Sequence, residues 1–433
     1  MNLDAIRTKD LIDCGALEIG DGYRAKNSEL SATGIPFARA ANIRAGFQFD
    51  GADRFPAEDL PKVGNKISRL GDVVFTSKGT VGRFAFVSEQ TETFVYSPQL
   101  CFWRSLDHQI IDSAWLYYWM YGREFQNQIG YLKTQTDMAD YVSLRDQREM
   151  TISVPPIDVQ QGISSVLGAL DGKIELNRQT ARTLEELAQR LFKSWFVDFD
   201  PVRAKMAGRQ PSHMPPETAA LFPDKLVDSP HGLIPPEWEV KPIEDIVTIK
   251  GGATPPTKQS EYWEGGTYHW ATPKDLSGLE QKVLIHTDRK ITSAGVEKIS
   301  SGQLPPGTVL MSSRAPVGYL ALADMLVSIN QGFIAMICDR GVPNTYILHW
   351  AESSMDVIKS NAGGSTFAEI SKKQFRPLEV IVPPAELLKI YDDLASSWFA
   401  HILQLAHENM TLSELRDRLL PKLVSGEIRT LVE

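Results

Sequence analysis

The sequence predicts an α+β protein. Two mixed α/β globular domains are separated by a long antiparallel two-helix coiled coil, and a pseudo-twofold internal repeat relates the halves. Three observations predict this. TLEELAQRLF at Thr183–Phe192 returns as TLSELRDRLL at Thr411–Leu420, an offset of 228 with six of ten positions identical. VPP at Val154–Pro156 recurs at Val382–Pro384 with the same offset, and TSKGTVG at Thr76–Gly82 is mirrored by SSRAPVG at Ser312–Gly318, offset 236. Solenoid repeats recur every ~20–50 residues, so a period this long marks a duplicated domain. Thirdly, each half ends in a heptad-patterned stretch too long for an ordinary globular helix.

Residues 1–154 form the first domain. LGDVVFTSKGTVGRFAFV (Leu70–Val87) reads as two β-rich runs around a glycine-containing turn, and SAWLYYWMYGREFQNQI (Ser113–Ile129) reads as helical. After Pro155–Pro156 the pattern changes. Ile163, Leu167, Leu170, Ile174, Asn177, Ala181, Leu184, Ala188, Leu191 and Trp195 alternate at four and three. A helix over Asp158–Phe196 would be roughly 55–60 Å long at ~1.5 Å per residue. This helical region spans 155–205. Residues 206–240 are Pro-rich and acidic, and read as an ordered linker wrapping the surface.

The second domain covers 241–382, where PGTVLMSSRAPVGYLALA (Pro306–Ala323) repeats the strand–turn–strand logic. Residues 383–433 form the second helix, with the seam Tyr391, Ala395, Trp398, Ile402, Leu405, Asn409, Leu412, Arg416, Leu419 and Leu423. Neither helix can bury its stripe alone, so the two are expected to pair antiparallel, with the globular domains at opposite ends. Each seam holds one asparagine, Asn177 and Asn409. A polar seam residue costs stability but can set register; the alternative is an asparagine tolerated near a solvated edge.

The 433 residues exceed one typical core, and 42% hydrophobic with 23% charged residues fits a soluble globular protein. Cys14, Cys101 and Cys338 are far apart, without CxxC or metal-ligand spacing, which suggests reduced thiols in a cytoplasmic protein. The N-terminal segment has no apolar signal core, and the densest apolar run, Ala114–Gly122, is too short to span a bilayer. Net charge is −9, but residues 241–382 carry 14 basic and 14 acidic side chains. A local patch can therefore still meet phosphates, although non-specific binding by the chain alone should be weak.

No catalytic signature is present. The chain lacks GxxxxGK[ST], HExxH, GxSxG and the Asn/Asp-Pro-Pro-aromatic tetrapeptide of DNA aminomethyltransferases. The Gly251–Gly252 and Gly363–Gly364 pairs read as turns, and His401 and His407 as ordinary helix residues. Asp198 and Asp200 sit where the first helix ends before Pro201, which favours capping or exposure over acid–base work.

What remains is a binding surface of paired polar turns with interleaved aromatics. Ser77-Lys78-Gly79 and Ser313-Arg314-Ala315 place one cation at the same point of both repeats. GGATPPTKQSEYWEGGTYHWATPKDL (Gly251–Leu276) supplies Thr254, Thr257, Lys258 and Lys274, while Trp263 and Trp270 read as core. Lys133–Ala139 (Thr134, Gln135 and Thr136) and Asn361–Phe367 (Ser365 and Thr366) form a third polar loop in each copy. Such side chains contact phosphates and base edges, and Arg314 suits either guanine or phosphate. Two related binding units in one chain suit a two-part target.

LDGKIELNRQTARTLEELAQRLFKSWFVDFDPVRAKMAG (Leu170–Gly208) closely resembles the central conserved region of specificity subunits of Type I restriction–modification systems. ALFPDKLVDSPHGLIPPEW (Ala220–Trp238) is similar to the segment entering that family's second target-recognition domain. Gly251–Leu276 looks like the opening of such a domain, Gly363–Pro384 like its close, and LRDRLLPKLVSGEI (Leu415–Ile428) like the end of the second conserved region. The resemblance covers essentially the whole chain, and residues 1–154 depart from it most.

The resemblance implies a non-catalytic DNA-reading subunit, with each target-recognition domain reading one half of a split, asymmetric sequence. The helix pair would act as spacer and dock two modification subunits that use S-adenosylmethionine to methylate a flipped adenine. Restriction (motor–nuclease) subunits, using ATP and magnesium, would complete the complex. Half-sites ~34 Å apart, about one helical turn, would suit this spacer. The rival expectation is a coiled-coil protein-interaction scaffold without DNA specificity, which the acidic net charge would suit. A stand-alone bipartite regulator lacks any helix-turn-helix signal.

Overall fold

The computed structural model describes residues 5–44, 46–133, 141–230, 232–363 and 368–429. It divides into two compact units, Met1–Lys173 with Thr411–Glu433, and Ile174–Met410.

In the first unit, strands Leu17–Asp21, Leu100–Ser105, Val73–Thr76 and Phe84–Phe86 lie side by side in that order, all antiparallel. Two of them, Val73–Thr76 and Phe84–Phe86, are the β-rich runs read in Leu70–Val87. Leu100–Ser105 is buried along its whole length, which requires Arg104 to be neutralised. Asp72, itself fully buried, does so: Arg104 Nε lies 2.6 Å from Oδ1 and Nη2 2.8 Å from Oδ2. Buried charges are tolerated only with such pairing. A small sheet of Arg54–Phe55, Ile35–Ala38 and Val95–Tyr96 stands beside the main sheet, and Ala5–Arg7 pairs with Thr151–Ser153.

The helical stretch expected over 113–129 is two helices, Ser113–Tyr121 and Arg123–Lys133. The break falls at Gly122, where a Cβ would come within 2.8 Å of Val424 Cγ1. Asp112 caps the first of these helices by accepting Trp115 N–H at 2.7 Å.

The second unit repeats the plan. Strands Thr248–Lys250, Phe333–Ile337, Val309–Ser312 and Leu320–Ala323 stand in the equivalent order, with Val283–Leu284 added at the edge. Arg289–Ile291, Tyr268–Ala271 and Val327–Ile329 form the small sheet, and Glu239–Pro242 pairs with Glu379–Val382. The linker contributes helix Pro216–Ala220 and hairpin Val227–Ser229/Gly232–Ile234. Ala219, Phe222, Ile234 and Trp238 fasten it to this unit's core.

The first long helix runs Ile157–Phe192 and continues as a π turn over Lys193–Val197; the second runs Ala385–Val424. In the first unit Ile163 and Leu167 share a core with Leu420 and Leu423, and Arg416 Nη1 donates to Asp171 Oδ1 at 2.8 Å. In the second, Asn177 meets Asn409, and Phe192 meets Tyr391 with ring centroids 6.0 Å apart. In each unit rising numbers on one helix face falling numbers on the other, so the helices pair antiparallel. Ile163, Leu167, Ile174, Asn177, Ala181, Ala188 and Trp195 are all buried, as a heptad seam requires. Among the described residues no helix is long and apolar enough to cross a membrane.

Candidate nucleic-acid interface

The polar turn after the third main-sheet strand is built twice with the same bonds. Thr76 Oγ1 donates to Thr80 O at 2.5 Å and accepts Arg83 N–H at 3.1 Å. Ser312 Oγ donates to Pro316 O at 2.7 Å and accepts Tyr319 N–H at 2.8 Å. The spacing is four and seven residues in both copies. One residue on, Ser77 N–H donates to Gln99 O and Ser77 O accepts Val142 N–H, each at 2.9 Å; Ser313 N–H donates to Gly332 O at 2.8 Å and Ser313 O accepts Ile370 N–H at 3.0 Å. A strand-like bridge then joins Lys78 to Tyr141 and Arg314 to Glu369.

These bonds pin the main chain and leave the next side chain outward. Ser77 and Ser313 are buried, and Lys78 is exposed. Arg314 is 37% exposed, with Nη1 3.7 Å from Glu369 Oε2, so its charge is partly offset.

A second turn in each unit depends on glycine. A Cβ on Gly22 would lie 2.0 Å from Ser97 O, and one on Gly252 would lie 1.8 Å from Ile329 O. No side chain fits, because the loop backbone crosses the small sheet at contact distance. The residue after each glycine binds that sheet: Tyr23 N–H to Tyr96 O at 2.7 Å, and Ala253 N–H to Ile329 O at 3.0 Å.

From this loop Thr254, Thr257 and Lys258 are exposed, and Thr254 Oγ1 bonds Gln331 Oε1 at 2.7 Å. Two indoles hold the loop. Trp270 Nε1 donates to Ala253 O and Trp263 Nε1 to Pro256 O, each at 3.1 Å, with the rings edge to face at 5.0 Å. Trp270 is buried, so this ring supports the loop from beneath. Lys274 is highly exposed and 3.3 Å from Asp288 Oδ2. The calls at Thr134, Gln135, Thr136, Ser365 and Thr366 lie outside the described residues.

The structure adds Arg289, whose guanidinium carbon lies 3.7 Å over the Trp263 ring and 5.2 Å from that of Trp270. Its strand register opposite Trp270 places it there, a signal that sequence spacing alone does not carry. Ties to the first long helix were also unforeseen. Arg178 Nε pairs with Glu280 Oε2 at 2.7 Å, Glu185 Oε1 accepts Lys282 N–H, and Lys282 Nζ reaches Glu352 Oε1 at 2.9 Å. Burial pushes the Glu185 carboxyl up. These contacts couple the second domain to the helix within one unit.

Asn177 is buried and donates from Nδ2 to both Asn409 Oδ1 and Glu408 Oε2 at 2.9 Å. Asp198 and Asp200 serve locally: Lys193 pairs with Asp198, and Ser194 Oγ donates to Asp200 Oδ2 at 2.7 Å. Among the described residues no cluster of three or more His, Cys, Asp or Glu side chains is arranged to hold a metal.

A family model described as Type I restriction modification DNA specificity domain matches residues 9–186 and again 235–392. The chain is 26% identical over 414 residues to the Type I restriction enzyme HindI specificity subunit of Haemophilus influenzae, covering 86% of this chain and 89% of that one. It is 39% identical over 172 residues to the MjaIX specificity subunit of Methanocaldococcus jannaschii, 38% of this chain and 40% of that one. The crystal structure of a Type I restriction–modification S subunit from M. genitalium superposes with TM-score 0.56 over 98% of this chain and 96% of that one, at 14% identity. That likeness bears on the fold.

Proposed function

From its membership in the Type I restriction–modification DNA specificity family, to which this chain belongs through two matched domains, we infer the division of labour that follows. The chain confers DNA sequence specificity through two target-recognition domains. Each domain reads one half of a bipartite, asymmetric target. Lys78 and Arg314, with Thr254, Thr257, Lys258 and Lys274, supply contacts to phosphates and base edges. The outer parts of the helix pair dock two modification subunits, and restriction subunits join that assembly. Chemistry belongs to those partners, which bring S-adenosylmethionine, ATP and magnesium; this chain is the non-catalytic reader. Work on chromosomal DNA places it in the cytoplasm.

The observation that carries this reading is the duplicated turn. The same main-chain bonds present one outward side chain in each unit, and that side chain differs between the units as Lys78 and Arg314. A docking scaffold has no need of two homologous loops bearing different cations. Exchanging residues 1–150 for those of another system tests the reading in cells that hold the cognate modification subunit. Methylation should then change in one half of the target motif and stay fixed in the other. A change in both halves would show that the domains do not read separately.

A further inference from the structure

We propose that Arg289 is a base-reading residue of the second domain, selecting guanine at one position of its half-site. The inference rests on the DNA-reading role set out above. Arginine reads guanine by donating two parallel bonds to O6 and N7, which demands a fixed guanidinium plane. A phosphate can also be met by a flexible point charge such as lysine, so a fixed plane adds less there. Here the plane has a support: the guanidinium carbon lies 3.7 Å over the Trp263 ring. A cation held against an indole face gains attraction and loses rotameric freedom at little further cost.

The support is itself immobilised. Trp263 and Trp270 are bonded through their indole N–H groups to Pro256 O and Ala253 O. That is the loop from which Thr254, Thr257 and Lys258 emerge, so Arg289 shares one rigid platform with the exposed polar side chains. Its backbone is paired in the sheet opposite Trp270.

Charge separates this arginine from its neighbours. Lys274 is tied to Asp288, whereas no carboxylate among the described residues lies within ion-pair distance of Arg289, which is exposed. The first unit differs here. Phe37 occupies the place of Trp270 in its small sheet, and Arg39 stands 5.5 Å over that ring. Arg39, however, is neutralised by Asp53 at 2.6 Å. By strand register the place of Arg289, opposite Trp270, is taken in the first unit by Asp53, opposite Phe37, so the two platforms present opposite charges at that place, as two readers of different bases require.

The test is a methylome comparison in cells co-expressing the full chain and its modification subunit, with wild type, Arg289→Lys and Arg289→Ala. Preference for one guanine in one half-site should fall roughly ten- to a hundredfold in both variants. The rest of the motif, including the other half, should persist. Arg289→Lys keeps the cation beside Trp263 and so answers even if Arg289→Ala folds poorly. An unchanged motif in Arg289→Lys, or a uniform loss of methylation with every base preference intact, would overturn the proposal and leave Arg289 as a packing or phosphate residue. Absence of any sequence-specific methylation with the wild-type chain would instead overturn the DNA-reading role and the inference with it.

Discussion

Asn177 Nδ2 donates to Asn409 Oδ1 at 2.9 Å across the helix pair, so the one asparagine of each predicted seam is the partner of the other. The pair forms in a single alignment of the two helices, because a shift by one turn would leave a buried amide facing leucine or alanine. Such a pair trades stability for register. Replacing both with leucine should keep or raise the melting temperature and broaden the distances between spin labels at Leu187 and Leu394. A single narrow distribution, matching wild type, would remove the register role. Asn177→Ala alone should cost about 1–3 kcal/mol, because it takes the donor from the Asn409 amide oxygen.

Lys78→Ala and Arg314→Ala should each weaken DNA binding of the assembled complex. If the contact is to phosphate, the slope of log affinity against log salt should shrink by about 1 for each variant, with sequence preference kept. Unchanged affinity at moderate salt would take that turn off the interface. Arg314 should show the smaller loss, because Glu369 already offsets part of its charge.

The buried Asp72–Arg104 pair sets up a sharper stability test. Asp72 also accepts the Tyr96 hydroxyl at 2.6 Å. Asp72→Ala removes the bidentate partner of buried Arg104 and leaves it only Glu18, 3.0 Å from Nη1, and Ile67 O, a cost of about 2–4 kcal/mol. The first unit should melt markedly earlier in calorimetry. Asp72→Leu combined with Arg104→Met should recover most of the loss; failure to recover would locate the cost in packing.

His349 gives a pH dependence with a defined sign. It is buried, with Nδ1 2.9 Å from Thr345 O and 2.8 Å from the Tyr391 hydroxyl. Burial pulls its pKa down from 6.5 to about 4. The folded state therefore favours neutral imidazole. Its stability is present above pH 6.5 and is lost as pH falls toward 4, when the unfolded chain binds the proton first. The loss should be on the order of 3 kcal/mol. His349→Gln should flatten the melting temperature between pH 4.5 and 7; an equal slope in both proteins would assign the acid lability elsewhere.

The long helices were legible because a seam repeats over many turns, and periodicity is a local signal. Ile157–Phe192 with its π turn to Val197 falls within a residue at each end of the expected helix, Asp158–Phe196. Gly122 was less legible: a side chain there would meet Val424, a neighbour from the far end of the chain. In the polar turns the position of the cation could be read from the repeat, but the burial of Ser77 and Ser313 could not. Arg289 was invisible for the same reason as Gly122, since strand register sets it opposite Trp270, against which Trp263 packs, and spacing does not.

The duplicated turn is held by main-chain groups and by the hydroxyls of Thr76 and Ser312, and the side chain it presents adds only the 3.7 Å Arg314–Glu369 pair in the second copy. Position 78 or 314 can therefore mutate with little effect on folding. Recognition and foldability are uncoupled there, so a lineage can drift to a new target by substituting the presented residue while the scaffold stays under selection unchanged.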